Sequence, residues 1–153
     1  MVAYFSHSGN TRFVANQIHD SVGGDIFEIV PADPYPGDYD EVVEQARKEL
    51  KEEYMPKLKT NAGSMESYRT VFVGYPNWWG TIPRPVVVFL SGYDLSGKKI
   101  VPFCTHEGSG LGRSATDIKR LCPQSTILEG LAVRGSDVKN ARNSVSAWLR
   151  KLG

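Results

Sequence analysis

Short apolar runs alternate along this chain with segments whose apolar residues recur every three or four positions. Met1 to Phe5 reads as a strand, and Thr11 to Val22 as a helix with Val14, Ile18 and Val22 on one stripe. Asp25 to Val30 alternates around Ile26 and Ile29, a second strand. Asp38 to Tyr54 is a charged, helix-favouring segment with Val42, Val43, Ala46 and Leu50 on one side. An irregular stretch containing Pro56 and Gly63 then leads to a buried strand over Tyr68 to Tyr75. Pro85 to Leu90 predicts a short helix, Lys98 to Cys104 a strand, Leu111 to Leu121 a helix and Ser125 to Val133 a strand. In the last segment Ser136 or Asp137 is placed to cap a helix. Its apolar stripe is Val138, Ala141, Val145, Trp148, Leu149 and Leu152, with Lys139, Arg142, Asn143, Arg150 and Lys151 outside.

Five strands alternating with helices predict an α/β domain spanning residues 1–153. Its mostly parallel sheet is covered on both faces, because right-handed crossovers place the helices there. Ligands of such sheets bind outside the carboxyl ends of the strands, where the strand order reverses. The loops that matter are then Ser6 to Thr11, Pro76 to Pro83 and Thr105 to Gly112. These are the stretches richest in Gly, Ser, Thr and Trp.

Composition narrows the class without changing this picture. At 153 residues, 41% apolar and 23% charged, the chain fits one soluble domain with a substantial core. The longest uninterrupted apolar run, Val86 to Leu90, is too short to span a membrane, and the first residues lack the sections of a secretory signal. We expect a cytoplasmic protein. Cys104 and Cys122 have neither zinc-site spacing nor disulfide density, so they read as buried reduced thiols, and no metal is expected. The net charge of +1 is unevenly spread: Asp33 to Glu53 carries a net −5, and Lys98 to Gly153 a net +6. No basic run is interleaved with aromatics, so nucleic acid is not an expected partner.

The first loop is "YFSHSGNT". Ser6, Ser8, Asn10 and Thr11 offer hydroxyl and amide groups, Gly9 allows close backbone approach, and the next helix presents unpaired amides with a positive dipole end. This suits a phosphate monoester. It lacks both the lysine of a nucleoside-triphosphate loop and the three glycines of a dinucleotide turn. The second loop, "GYPNWWGTIPRP", ends a buried strand with adjacent tryptophans. Successive side chains leave a strand on opposite faces, so at least one indole should line the surface or a pocket, placed to stack on a planar ring. The third loop, "CTHEGSGLGRS", has glycines whose neighbouring amides can meet a heterocycle's carbonyl oxygens. A cysteine phosphatase is discounted, because eight residues separate Cys104 from Arg113 and the pair follows the fourth strand.

Together "YFSHSGNT", "VGYPNWWGTIPRPV", "GKKIVPFCTHEGSG" and "LEGLAVRGSDV…VSAWLRKLG" resemble the flavodoxin family, in particular its shorter bacterial members with a Trp-Trp-Gly loop. The resemblance runs almost end to end. It implies a flavodoxin-like three-layer sandwich with a five-stranded parallel sheet in the order 2-1-3-4-5, binding FMN noncovalently. Carried over residue by residue, Ser6, Ser8, Gly9, Asn10 and Thr11 match the phosphate loop, with His7 as an additional contact. Pro76, Asn77, Trp78, Trp79 and Gly80 match the first ring loop, with Trp78 at the stacking position. Thr105, His106, Glu107, Gly108, Ser109 and Gly110 match the second ring loop. That loop offers no aromatic for the other flavin face, which implies a more open ring.

The function so implied is that of a low-potential electron carrier, a monomer exchanging electrons with a reductase and an acceptor protein. The acidic segment Asp33 to Glu53 is the expected docking surface. Glu107 is placed to disfavour a second electron through charge repulsion. The alternatives are an NAD(P)H-dependent FMN reductase of quinones or similar small acceptors, and an FMN-binding accessory module.

Overall fold

The computed structural model describes Met1 to Gly153, and the alternation of strand and helix is laid out in it nearly as the periodicity predicts. In chain order the elements are β1 (Val2–Tyr4), α1 (Asn10–Val22), β2 (Ile26–Glu28), α2 (Tyr39–Glu52), β3 (Thr70–Pro76), α3 (Arg84–Ser91) and β4 (Lys99–His106). They continue with α4 (Ser114–Leu121), β5 (Thr126–Ile127), β6 (Leu131–Arg134), a 3-10 turn (Gly135–Asn140) and α5 (Arg142–Leu152). All strand pairs are parallel, in the order β2-β1-β3-β4-β5, with β6 continuing the β5 edge along β4. This is the 2-1-3-4-5 order expected of a flavodoxin-like fold.

The period of two divides the strand side chains between two cores. Ala3, Val71, Val73, Tyr75, Ile100 and Cys104 face α3 and α4, where Val86, Phe89, Leu90 and Ile118 close one layer. Val2, Tyr4, Phe72, Val101, Phe103 and Val133 face the opposite side, against Val14, Ala15 and Ile18 of α1 and Val145 and Trp148 of α5. Gly74 is required inside this packing. A Cβ there would fall 2.1 Å from the ring of Phe103, its partner on β4.

Three predicted elements are corrected. Ser125 to Val133 is not one strand. Between the pairs Ile100↔Ile127 and Phe103↔Leu131, three steps along β4 are matched by four along the edge, a β-bulge. Its cause is Pro102. The even-numbered residues of β4 bond this edge, as when Leu128 N–H donates to Ile100 O (2.9 Å), and proline has no N–H to continue the ladder. The indole N–H of Trp148 donates to the bulge carbonyl of Glu129 (2.9 Å).

The last helix also starts later than Ser136 or Asp137, and neither caps it. The Val138 carbonyl accepts from the buried Gln17 side-chain amide (2.9 Å) and from the Ala141 N–H. That closes a 3-10 turn before α5 opens at Arg142. Similarly, Leu111 to Arg113 form a turn ahead of α4 rather than its first residues. No helix is long and apolar enough to cross a membrane.

Candidate functional site

The loops following β1, β3 and β4 meet at the carboxyl edge of the sheet around a cleft of about 580 Å³. From the first loop His7, Ser8 and Asn10 line it; from the second, Pro76, Asn77, Trp78, Trp79 and Gly80; from the third, Thr105, His106, Glu107 and Ser109. Ser6, Gly9, Thr11, Gly108 and Gly110 shape these loops without lining the cleft.

The first loop is built by its own side chains. Ser6 Oγ accepts from the N–H groups of Gly9 (3.1 Å) and Arg12 (3.3 Å), and Ser8 Oγ from that of Asn10 (3.3 Å). Gly9 caps α1 at φ +100°, a conformation open to glycine. The N–H groups of His7, Ser8 and Thr11 find no acceptor in the chain, which leaves them for an anion at the helix start. The buried Thr11 hydroxyl is bonded to that of Thr105 (2.8 Å) and ties the first loop to the third. No lysine or arginine lines the cleft, and Arg12 is turned away to Glu28 (2.7 Å). The donor set suits a phosphate monoester held by neutral groups.

The second loop folds as a tight turn, with Trp78 and Thr81 exchanging backbone hydrogen bonds (3.1 and 3.3 Å) around Trp79 at φ +57° and Gly80 at φ +83°. Two successive positive φ angles define a type I′ turn, and they redirect the tryptophans away from simple strand alternation. Trp78, expected as the free stacking ring, is half-buried. It packs edge-on against Tyr35 (4.9 Å), Phe5 (5.3 Å) and His7 (6.1 Å) while still showing part of its surface to the cleft. Trp79 is the exposed indole, at 47%, and its Nε1 donates to the Val43 carbonyl of α2 (2.9 Å). Behind Trp78, the Tyr35 hydroxyl donates to Glu49 (2.5 Å). Burial, followed by that bond, pushes the phenol above its ordinary range.

The second and third loops are locked together. Asn77 donates to Gly110 O (2.7 Å) and accepts from Gly80 N–H (2.9 Å), while Arg113 N–H donates to Gly80 O (2.8 Å). Thr81 donates to Asp117, which also binds Arg113 and Arg120. Beneath the third loop the Tyr75 hydroxyl donates to Ser114 Oγ (2.8 Å), which donates to Leu111 O (2.6 Å). Gly135 closes the far side: a Cβ there would meet the Glu107 carboxylate at 2.6 Å and the Asn10 amide at 2.9 Å.

Cys104 is fully buried behind the third loop, its thiol directed at Gly110 O (3.4 Å), and burial pushes its pKa up to about 12. The thiol form therefore holds well above neutrality. At about pH 8 iodoacetamide should leave Cys104 unmodified in the native protein and alkylate it only on unfolding, as followed by mass spectrometry. Rapid native alkylation would contradict this packing.

One wall of the cleft was not foreseen. Tyr39, Val42, Val43 and Ala46 of α2 line it, whereas the sequence reading assigned that helix no part in the site. The sequence carried no signal for it, because Val42, Val43, Ala46 and Leu50 fit one helical stripe facing the core.

A family model described as Flavodoxin matches residues 1–152. A provisionally assigned flavoprotein from Bacteroides eggerthii DSM 20697 is 33% identical over 95% of this chain and 96% of its own, with a TM-score of 0.79. A second, from Bacteroides uniformis ATCC 8492, is 28% identical over 98% and 96%, with a TM-score of 0.87. The flavoprotein of Lactobacillus acidophilus NCFM, solved in complex with FMN, shares the fold at 18% identity over 91% and 95%, with a TM-score of 0.73. A search of curated proteins finds no match.

Proposed function

The chain belongs to the flavodoxin family, and from that premise we propose that it is a single FMN-binding domain that transfers electrons at the cleft described above. The observation that supports this best is the division of the cleft. One end offers the free amides of His7 and Ser8 ahead of α1, and the other is walled by aromatic side chains.

In this reading the free N–H groups of His7 and Ser8, with the Ser8 and Asn10 side chains at the cleft, hold the phosphate, while Ser6 and Gly9 shape the loop. Pro76 to Gly80 and Thr105 to Gly110 flank the ring. FMN supplies the electron-accepting group, while the chain binds, orients and partly shields it. Glu107 sets a negative charge at the same cleft and opposes the build-up of further negative charge there.

The primary role is electron carriage between a reductase and an acceptor protein, by a cytoplasmic monomer. Exposed Asp38, which caps α2, and Asp40, Glu41 and Glu44 within it give a docking partner an acidic face beside the cleft. A second reading, an NAD(P)H-dependent reductase of small acceptors, is favoured by the apolar α2 wall. Stepwise reduction of the FMN-loaded protein, followed by assay with NAD(P)H alone and then with a separate flavodoxin reductase, divides the two. A carrier resolves a one-electron stage and stays oxidised until the reductase is added. Steady NAD(P)H oxidation by the purified protein alone would replace the carrier reading with the enzyme.

A further inference from the structure

Both tryptophans of the second loop are fastened to α2, by different means. Trp79 is held directly, through its bond to Val43 O. Trp78 is reached through Tyr35, whose ring meets it edge-on (4.9 Å) and whose hydroxyl donates to Glu49, further along the same helix.

Glu49 stands in the buried stripe of α2 with Val42 and Ala46, only 8% exposed. No lysine or arginine pairs with it, and Arg84 is committed to Tyr54 O (2.7 Å) and Met55 Sδ (3.2 Å). Its two carboxyl oxygens are taken one each, by the Tyr35 hydroxyl (2.5 Å) and the Gln45 side-chain amide (3.0 Å). Burying a carboxyl group away from any cation is costly, and an apolar side chain would fit this stripe without that cost. Packing alone does not call for Glu49.

Orientation of the aromatic cluster does. Every ring contact of Trp78, with Phe5, Tyr35 and His7, is edge-on, a geometry that is individually weak. Behind the indole a gap of about 10 Å³ remains beside Ala46, Glu49 and Ile82, so close packing does not pin that side. A ring tethered by its hydroxyl supplies the missing constraint. Neither Tyr35 nor Glu49 lines the cleft, so any influence on a ligand there must pass through Trp78.

We propose that Glu49 is a positioning residue of the flavin seat, acting through the Tyr35 hydroxyl to hold Trp78 at the angle it presents to the cleft. The proposal rests on the FMN reading above.

FMN titration, thermal unfolding and near-ultraviolet circular dichroism of the apoprotein and four variants test it. Tyr35→Phe and Glu49→Leu each break the tether, and each should alter the aromatic dichroism and weaken FMN binding at least about fivefold. Glu49→Gln keeps an acceptor oxygen for Tyr35 and should keep FMN affinity within about twofold of wild type. The double variant carrying Tyr35→Phe and Glu49→Leu removes both polar partners. Its melting temperature should return close to that of the wild type, while FMN affinity stays at least about fivefold low. Recovery of affinity together with melting temperature would make the pair purely structural and overturn the proposal. So would wild-type affinity in Tyr35→Phe, or a loss in Glu49→Gln as large as in Glu49→Leu. Failure of the FMN reading is seen separately, as no FMN binding by the wild type; the dichroism then decides, and an unchanged spectrum in both single variants overturns the tether itself.

Discussion

Replacing Trp78 with alanine is expected to weaken both the fold and the flavin site, while the same change at its neighbour spares the fold. Trp78 sits in an aromatic cluster with Phe5, Tyr35 and His7 and is half-buried. Full truncation of a buried Trp costs about 3–5 kcal/mol, so a half-buried one should cost the apoprotein about 2–3 kcal/mol in denaturant unfolding. FMN affinity should fall at least about tenfold, because the ring also lines the cleft. Trp79→Ala removes an exposed indole and should change apoprotein stability by less than about 1 kcal/mol. If Trp78→Ala left apoprotein stability unchanged, the cluster would not be contributing to the fold.

The second large effect is expected at Gly112, where the second and third loops touch. Its φ is +56°, and a Cβ would lie 2.3 Å from the carbonyl oxygen of Gly80. That oxygen is already bound by the N–H of Arg113. Alanine there combines left-handed strain of about 1–2 kcal/mol with a backbone clash of about 1–3 kcal/mol, and the loops must part to relieve it. Gly112→Ala should destabilise the apoprotein by about 2–5 kcal/mol and weaken FMN binding more than tenfold, about 1.4 kcal/mol per decade. Gly110 provides the comparison. It also has a positive φ, +65°, but a Cβ there meets nothing within 4 Å. Gly110→Ala should therefore show the strain alone. Equal costs at the two positions would mean that backbone conformation, not the contact between loops, governs the site.

The sequence made the layers legible because the period of two in the strands and the stripes in the helices are global signals. The buried strand expected over Tyr68 to Tyr75 is β3, where Val71, Val73 and Tyr75 face one core and Phe72 the other. The loops bearing Gly, Ser and Trp were legible for the same reason, since each follows a recognisable strand.

What escaped was set by contacts between distant residues. Pro102 breaks the edge strand, but only because the missing N–H faces the bulge rather than β3. Gln17 draws Val138 into a 3-10 turn from across the α1 interface. The roles of the tryptophans depend on the type I′ turn, where Trp79 takes a φ rarely adopted by non-glycine residues. The α2 wall was hidden because Val42, Val43 and Ala46 satisfy a core stripe on paper. In the fold, Val43 is only half-buried and holds the indole of Trp79.

The central claim is that the first loop holds a phosphate monoester and that the cleft beyond it holds a flavin ring. Titrating the apoprotein with FMN and, separately, with riboflavin, and following flavin fluorescence, tests it most directly. We predict saturable binding of FMN at one site, at least about tenfold tighter than riboflavin, because each charged hydrogen bond to the monoester is worth about 1.5–3 kcal/mol. Equal affinity for both flavins would contradict the phosphate assignment, and saturable binding of neither would contradict the site.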